Sequence, residues 1–114
     1  MKFISKLEAR WAHSNSLLCV GLDPQLDRIP EYFKKQNSPY LDFCKAIVDA
    51  THELVCCFKP QVAYFSAVGA EDQLEKVVSY INEKHPNIPV ILDAKRGDIG
   101  STAALYAKEA YERY

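Results

Sequence analysis

The chain has 114 residues, of which 48% are hydrophobic and 25% charged, the balance of one soluble folded domain and not of a disordered or fibrous chain. Its 14 Lys and Arg against 15 Asp and Glu leave a net charge of −1, so there is no basic surplus for nucleic acid and no cationic run for an anionic membrane. No apolar run approaches transmembrane length and the first residues lack a signal-peptide core, so a cytoplasmic location is expected.

Residues 2–13 put Phe3, Ile4, Leu7 and Trp11 on one helical face, and Ser14-Asn15-Ser16 ends that helix. Leu17 to Asp23 is a continuous apolar run of strand length that closes on a carboxylate, as for a strand buried on both faces of a parallel sheet. Pro24 and Pro30 break regular structure, and 24–37 reads as a polar loop. Ser38-Pro39 supplies a hydroxyl N-cap and a proline in the first turn. Cys44, Ile47, Val48, Thr51, Leu54 and Val55 then recur at helical spacing, predicting a helix over 39–55.

The start of residues 56–65 reads as a second buried strand ending in Lys59. Gly69 opens a transition to a helix with Glu71 and Asp72 at its N-terminus and an apolar stripe of Leu74, Val77, Val78 and Ile81. Lys84 and His85 suit its C-terminal end before Pro86. Pro89 to Leu92 is a third short strand, and a last helix over roughly 101–113 carries Ala104, Ala107, Tyr111 and Tyr114 along one side. The four cysteines, Cys19, Cys44, Cys56 and Cys57, form no C-x-x-C pair and each lies in an apolar segment. They are expected to be reduced core thiols, with neither zinc nor a disulfide framework.

A helix followed by three strand–helix units predicts an α/β fold with a parallel sheet. Three such strands neither close a barrel nor make a comfortable open sheet, and helix-terminating signals are missing at Tyr114. The expectation is the amino-terminal part of a larger enzyme, with 1–114 one part of a single domain.

Each strand ends in a charge: Asp23, Lys59, and Asp93 with Lys95. Asp93 and Lys95 are two apart, so on a strand both side chains take one face. Asp98 follows beyond Gly97, and Gly100, Ser101 and Thr102 lead into the last helix. A strand-to-helix loop at the carboxyl end of a parallel sheet is where such folds build their sites. A lone Asp or Lys in such a loop is ordinarily a solvated ion pair. Here two carboxylates flanking Lys95 favour its charged form, each contact reaching at most about 4 kcal/mol near the surface before desolvation is subtracted. A lysine so held suits proton donation to a carbanion-like centre better than Schiff-base chemistry.

Asp93-Ala-Lys95-Arg-Gly-Asp98, followed by Ile-Gly-Ser-Thr102, resembles the D-x-K-x-x-D signature of the orotidine 5′-phosphate decarboxylase family. Val20-Gly-Leu-Asp23-Pro and Phe58-Lys59-Pro-Gln61-Val-Ala-Tyr-Phe resemble its first two strands in the longer bacterial subtype, so the likeness covers nearly the whole chain in order. The resemblance implies the first three units of a (β/α)8 barrel, incomplete in this chain. It implies a homodimer that converts orotidine 5′-phosphate to UMP and CO2, a step of pyrimidine biosynthesis, with no metal or organic cofactor. By the same resemblance Asp23 and Lys59 contact the ribose, Asp93 faces the substrate carboxylate and Lys95 protonates C6. Asp98 reaches the partner's site, with Ile99 and Thr102 beside it on the base or ribose. The loops that grip the phosphate and the pyrimidine amide in that family have no counterpart here, so the chain alone is expected to be inactive or nearly so.

Two alternatives stand beside this reading. One is a Mg²⁺-dependent sugar-phosphate enzyme on the same barrel, which needs extra acids at the strand ends where this chain offers Lys59. The other is a non-catalytic fragment with no nucleotide affinity. His13, His52 and His85 have no ligand spacing, and Trp11, Tyr106, Tyr111 and Tyr114 read as packing residues.

Overall fold

Backbone pairing in a computed structural model, which describes residues 1–114, aligns three parallel segments in the order β1 (Cys19–Leu22), β2 (Cys57–Pro60) and residues 89–93. β1 and β2 pair in register from Cys19 opposite Cys57 to Leu22 opposite Pro60. The third segment meets β2 at Phe58–Val90 and Gln61–Asp93 but is not a continuous strand. Its bonds show why. The Phe58 amide donates to the Pro89 carbonyl (3.2 Å) and the Ile91 amide to the Phe58 carbonyl (2.9 Å). The next donor of a parallel ladder would be the amide of residue 60, and Pro60 has none. Pairing resumes one residue on, where the Asp93 amide donates to the Pro60 carbonyl (3.0 Å) and the Val62 amide to the Asp93 carbonyl (3.0 Å). The third strand of the sequence reading is therefore present as a parallel partner of β2, interrupted by a proline in its neighbour.

Six α-helices surround these segments: α1 (Phe3–Ser14), α2 (Glu31–Lys34), α3 (Pro39–Thr51), α4 (Val62–Ser66), α5 (Glu71–Lys84) and α6 (Gly100–Lys108), the last running on into a π-helical turn, Glu109–Arg113. One apolar cluster joins Cys44 and Val48 of α3 to Leu74, Val77, Val78 and Ile81 of α5, and these to Phe58, Val62 and Phe65. Phe58, Phe65, Leu74 and Ile81 are fully buried, each stabilising the fold by about 1.5–3 kcal/mol relative to exposure. The α5 stripe is the one the sequence spacing predicts. The α3 amide of Leu41 is capped by the side chain of Gln73 in α5, 3.0 Å away, and not by Ser38, which makes no capping bond. Gly69 takes φ +65°, the left-handed turn that separates α4 from α5.

Several expectations are corrected. Arg10 is the buried residue of α1, whereas Phe3, Ile4 and Trp11 are 39–59% exposed. The guanidinium explains this: Nε donates to the Val55 carbonyl (2.9 Å) and a terminal nitrogen to the His52 carbonyl (2.5 Å), both beyond the end of α3. β1 is not buried on both faces: the alternation leaves the Cys19 and Gly21 face exposed, whereas Leu22 is buried in the core with Val20 packed against it. Cys19 is thus an exposed thiol, while Cys44, Cys56 and Cys57 are buried and all four are free. Burial, with the charge of Asp23 adding, pushes the Cys44 thiol up to about 12. The loop 24–37 contains α2, helix α3 ends at Thr51 instead of residue 55, and Leu54 is exposed. In α6 and its π-helical turn the sheltered positions are Thr102, Ala103, Tyr106, Glu109, Ala110 and Tyr114, while Ala104, Ala107 and Tyr111 face out. No helix is long and apolar enough to cross a membrane.

Candidate active site at the carboxyl ends of the strands

The parallel register brings the strand-end charges to one rim. Leu22 lies opposite Pro60, so Asp23 leaves β1 beside the point where β2 ends, and Asp93 lies opposite Gln61 on the other flank. Lys59 stands one residue inside the end of β2, level with Gly21.

Asp93 is the hub. Its Oδ2 accepts from Lys95 Nζ at 2.6 Å and from Lys59 Nζ at 3.5 Å, so two ammonium groups share one carboxylate oxygen. The Asp93 side chain is 21% exposed, Lys59 35% and Lys95 64%. The hydrogen bond from Lys95 chiefly holds the Asp93 carboxyl below the usual carboxylate range. Burial opposes that shift, while the charge of Lys95 and the contact with Lys59 reinforce it. At this exposure the Lys95 contact falls well short of the low-dielectric ceiling.

Lys95 reaches Asp93 by a route different from the strand alternation of the sequence reading. Its backbone has left the extended conformation for φ +50°, a left-handed geometry rare for a residue with a Cβ. Asp98 is exposed and makes no ion pair; its Oδ1 accepts from the Ile99 amide at 2.6 Å, so it fixes the entry to α6. Ile99 is 85% exposed, and Thr102, half-buried, donates its amide to the Ile99 carbonyl at 3.1 Å. Asp23 is exposed and unpaired. Its carboxylate lies against the backbone of Gly21, where a Cβ would approach Oδ2 to 3.2 Å, so the glycine leaves room for that side chain.

Of the seven predicted site residues, the structure joins Asp93, Lys95 and Lys59 directly, sets Asp23 at the same rim, and leaves Asp98, Ile99 and Thr102 on the loop and first turn of α6. Two further residues were not singled out from the sequence. Gln61 faces Asp93 across the β2 register. Arg96 donates from Nε to Glu109 Oε2 at 3.4 Å, with its guanidinium 5.5 Å from the Tyr106 ring. Thirteen residues separate Arg96 from Glu109, a spacing that no helix or strand period flags.

The arrangement suits chemistry in which negative charge develops near a fixed ammonium. No three His, Cys, Asp or Glu side chains of this chain converge as ligands, and the rim carboxylate is shared by two ammonium groups.

Comparison with known proteins agrees with the motif. The sequence profile described as orotidine 5′-phosphate decarboxylase / HUMPS family matches residues 16–113. The chain is 61% identical over its whole length to an orotidine 5′-phosphate decarboxylase of Dechloromonas aromatica and 60% identical to that of Ralstonia pickettii, covering 42% of each. Among solved structures, the OMP decarboxylase of Leishmania donovani superposes with a TM-score of 0.80 at 39% identity, over 98% of this chain and 40% of that one. The UMP synthase of the same organism gives 0.78 at 40% identity, over 98% of this chain and 23% of that one. The chain thus spans less than half the length of these relatives, and its strand–helix units are those of an incomplete barrel. With the D-x-K-x-x-D loop, the parallel register and the profile match in agreement, the chain belongs to the orotidine 5′-phosphate decarboxylase / HUMPS family.

Proposed function

We propose that these residues form the proton-donating and ribose-contacting part of an orotidine 5′-phosphate decarboxylase site. The observation that carries the proposal is the single Asp93 oxygen shared by Lys95 at 2.6 Å and Lys59 at 3.5 Å on the strand-end rim. Lys95 is the proton donor to C6 as CO2 leaves. Its ammonium, already aimed at a carboxylate, is in place for the negative charge that develops on carbon, the kind of preorganisation that usually contributes most to catalysis. Asp93 faces the substrate carboxylate, and Asp23 and Lys59 hold the ribose hydroxyls. Asp98, with Ile99 and Thr102, serves the site of a second copy; its freedom from any ion pair within the chain supports that role. The working form on this reading is a cytoplasmic homodimer with a nucleotide substrate and no cofactor.

The test is a chimera in which these 114 residues replace the aligned part of the Dechloromonas aromatica relative. It is expected to decarboxylate orotidine 5′-phosphate, to lose about a hundredfold or more of its turnover on Lys95→Ala, and to be indifferent to EDTA. Full turnover in the Lys95→Ala chimera would refute the assignment, and loss of activity with EDTA would favour a metal-dependent sugar-phosphate enzyme. The 114-residue chain by itself is expected to show no measurable turnover, because binding energy from remote parts of a substrate helps organise such a site.

A further inference from the structure

Lys95 occupies a left-handed backbone conformation and is largely exposed, so its reach to Asp93 depends on what restrains the loop between residue 93 and α6. Within that loop Asp98 bonds only to the adjacent Ile99 amide, and a Cβ at Gly97 would meet nothing within 4 Å. Arg96 is different. Its Nε donates to Glu109 Oε2 at 3.4 Å, and its guanidinium lies 5.5 Å from the Tyr106 ring, both on the helix that the loop feeds. The two side chains of this pair are 36% and 28% exposed, more sheltered than Lys95 itself.

We infer that Arg96 is a positioning residue: by clamping the loop to α6 through Glu109 and Tyr106, it fixes the backbone turn that aims Lys95 at Asp93. Arginine suits this position because its planar group can stack on a ring and donate to a carboxylate at once, which a lysine cannot do as well. Left-handed residues persist where surrounding contacts over-determine them, and this loop has few others. The role assigned to the ammonium rests on the decarboxylase reading, but the clamp itself does not.

The test is ¹⁵N relaxation on the 114-residue chain, which needs no substrate. In wild type the amides of residues 95–98 are expected to be as rigid as those of β2, with order parameters near 0.85. In Arg96→Ala they fall to about 0.6 or below while β2 and α5 keep their values. Glu109→Gln and Tyr106→Leu, which touch only the two ends of the clamp, are each expected to lower them less. Arg96→Lys is expected to recover part of the loss, since it keeps the charge and loses the stack. A loop that stays rigid in Arg96→Ala, or one that loosens only together with β2 and α5, overturns the inference. A loosened loop in a chain whose chimera has no decarboxylase activity upholds the clamp and removes only the reason given for it.

Discussion

Replacing Arg10 by methionine tests how α1 is attached. The helix leaves Phe3, Ile4 and Trp11 partly exposed, yet buries Arg10 to 8% exposure. The guanidinium donates to the carbonyls of Val55 (2.9 Å) and His52 (2.5 Å), where the chain passes from α3 into β2. Methionine keeps most of the apolar stem and removes both donors. A hydrogen bond from a charged group contributes about 1.5–3 kcal/mol, and a buried acceptor left unpaired costs about 1–3 kcal/mol. Val55 is fully buried, so its carbonyl bears that cost, whereas His52 is half-buried and water can take up its carbonyl. These terms overlap, and removing a buried guanidinium recovers part of its desolvation cost, so the net for Arg10→Met is about 2–4 kcal/mol, or a drop in melting temperature of about 10–25 °C for a domain of this size. Ile4→Ala, at a position 59% exposed, should cost below about 1 kcal/mol. Thermal and urea unfolding of the two variants decide the matter. If Arg10→Met stays within 0.5 kcal/mol of wild type by either method (about the scatter of a surface change), or Ile4→Ala costs more, then α1 is held by its apolar face and the polar anchor is secondary.

Gln73→Ala removes the acceptor for the Leu41 amide in the first turn of α3, and should cost about 0.5–2 kcal/mol, with faster amide exchange confined to that turn. The pH dependence follows from His85, whose ring stacks on that of His52 at 4.3 Å and 21°. Burial depresses His85 below its usual 6.5, helped by the charges of His52, Arg10 and Lys84 and opposed by Asp49. The unfolded chain then binds the proton first. Stability should therefore be full above about 6.5 and decline as pH falls from there through the lower folded value. The urea midpoint should drop between pH 7.5 and 5.5 in wild type, and His85→Gln should flatten that slope; an unchanged slope would remove His85 as its source. Asp93 acts in a separate, more acidic window. Its depressed folded value contributes stability above its usual 3.8 that disappears as pH falls through the folded value.

The elements most legible in the sequence are those whose partners are local or periodic. The α5 stripe of Leu74, Val77, Val78 and Ile81 is buried as its spacing predicts, because one helix face and one core suffice to define it. The strand-end charges reach a common rim because parallel pairing aligns carboxyl ends whatever the details of each strand. Features that depend on a distant partner were not legible. The α1 stripe misleads because Arg10 finds two carbonyls more than 40 residues away, a link that no periodicity encodes. The break in the third strand originates in Pro60, a residue of its neighbour. In α6 and the turn that follows, the sheltered stripe of Thr102, Ala103, Tyr106, Ala110 and Tyr114 includes Tyr114 as expected, but lies about one residue away from the expected line through Ala104, Ala107 and Tyr111. Within the site, Lys95 meets Asp93 as expected from their spacing, but through a left-handed residue where an extended strand was expected.

The most direct test of the shared carboxylate is a ¹³C titration of the Asp93 side chain in wild type, Lys95→Ala and Lys59→Ala. Wild-type Asp93 should ionise below the usual 3.8, rise most when Lys95 is removed, and rise less when Lys59 is removed. An Asp93 that titrates at its ordinary value in all three proteins would mean that the two ammonium groups do not converge on it, and that Lys95 is not held where a proton donor must be.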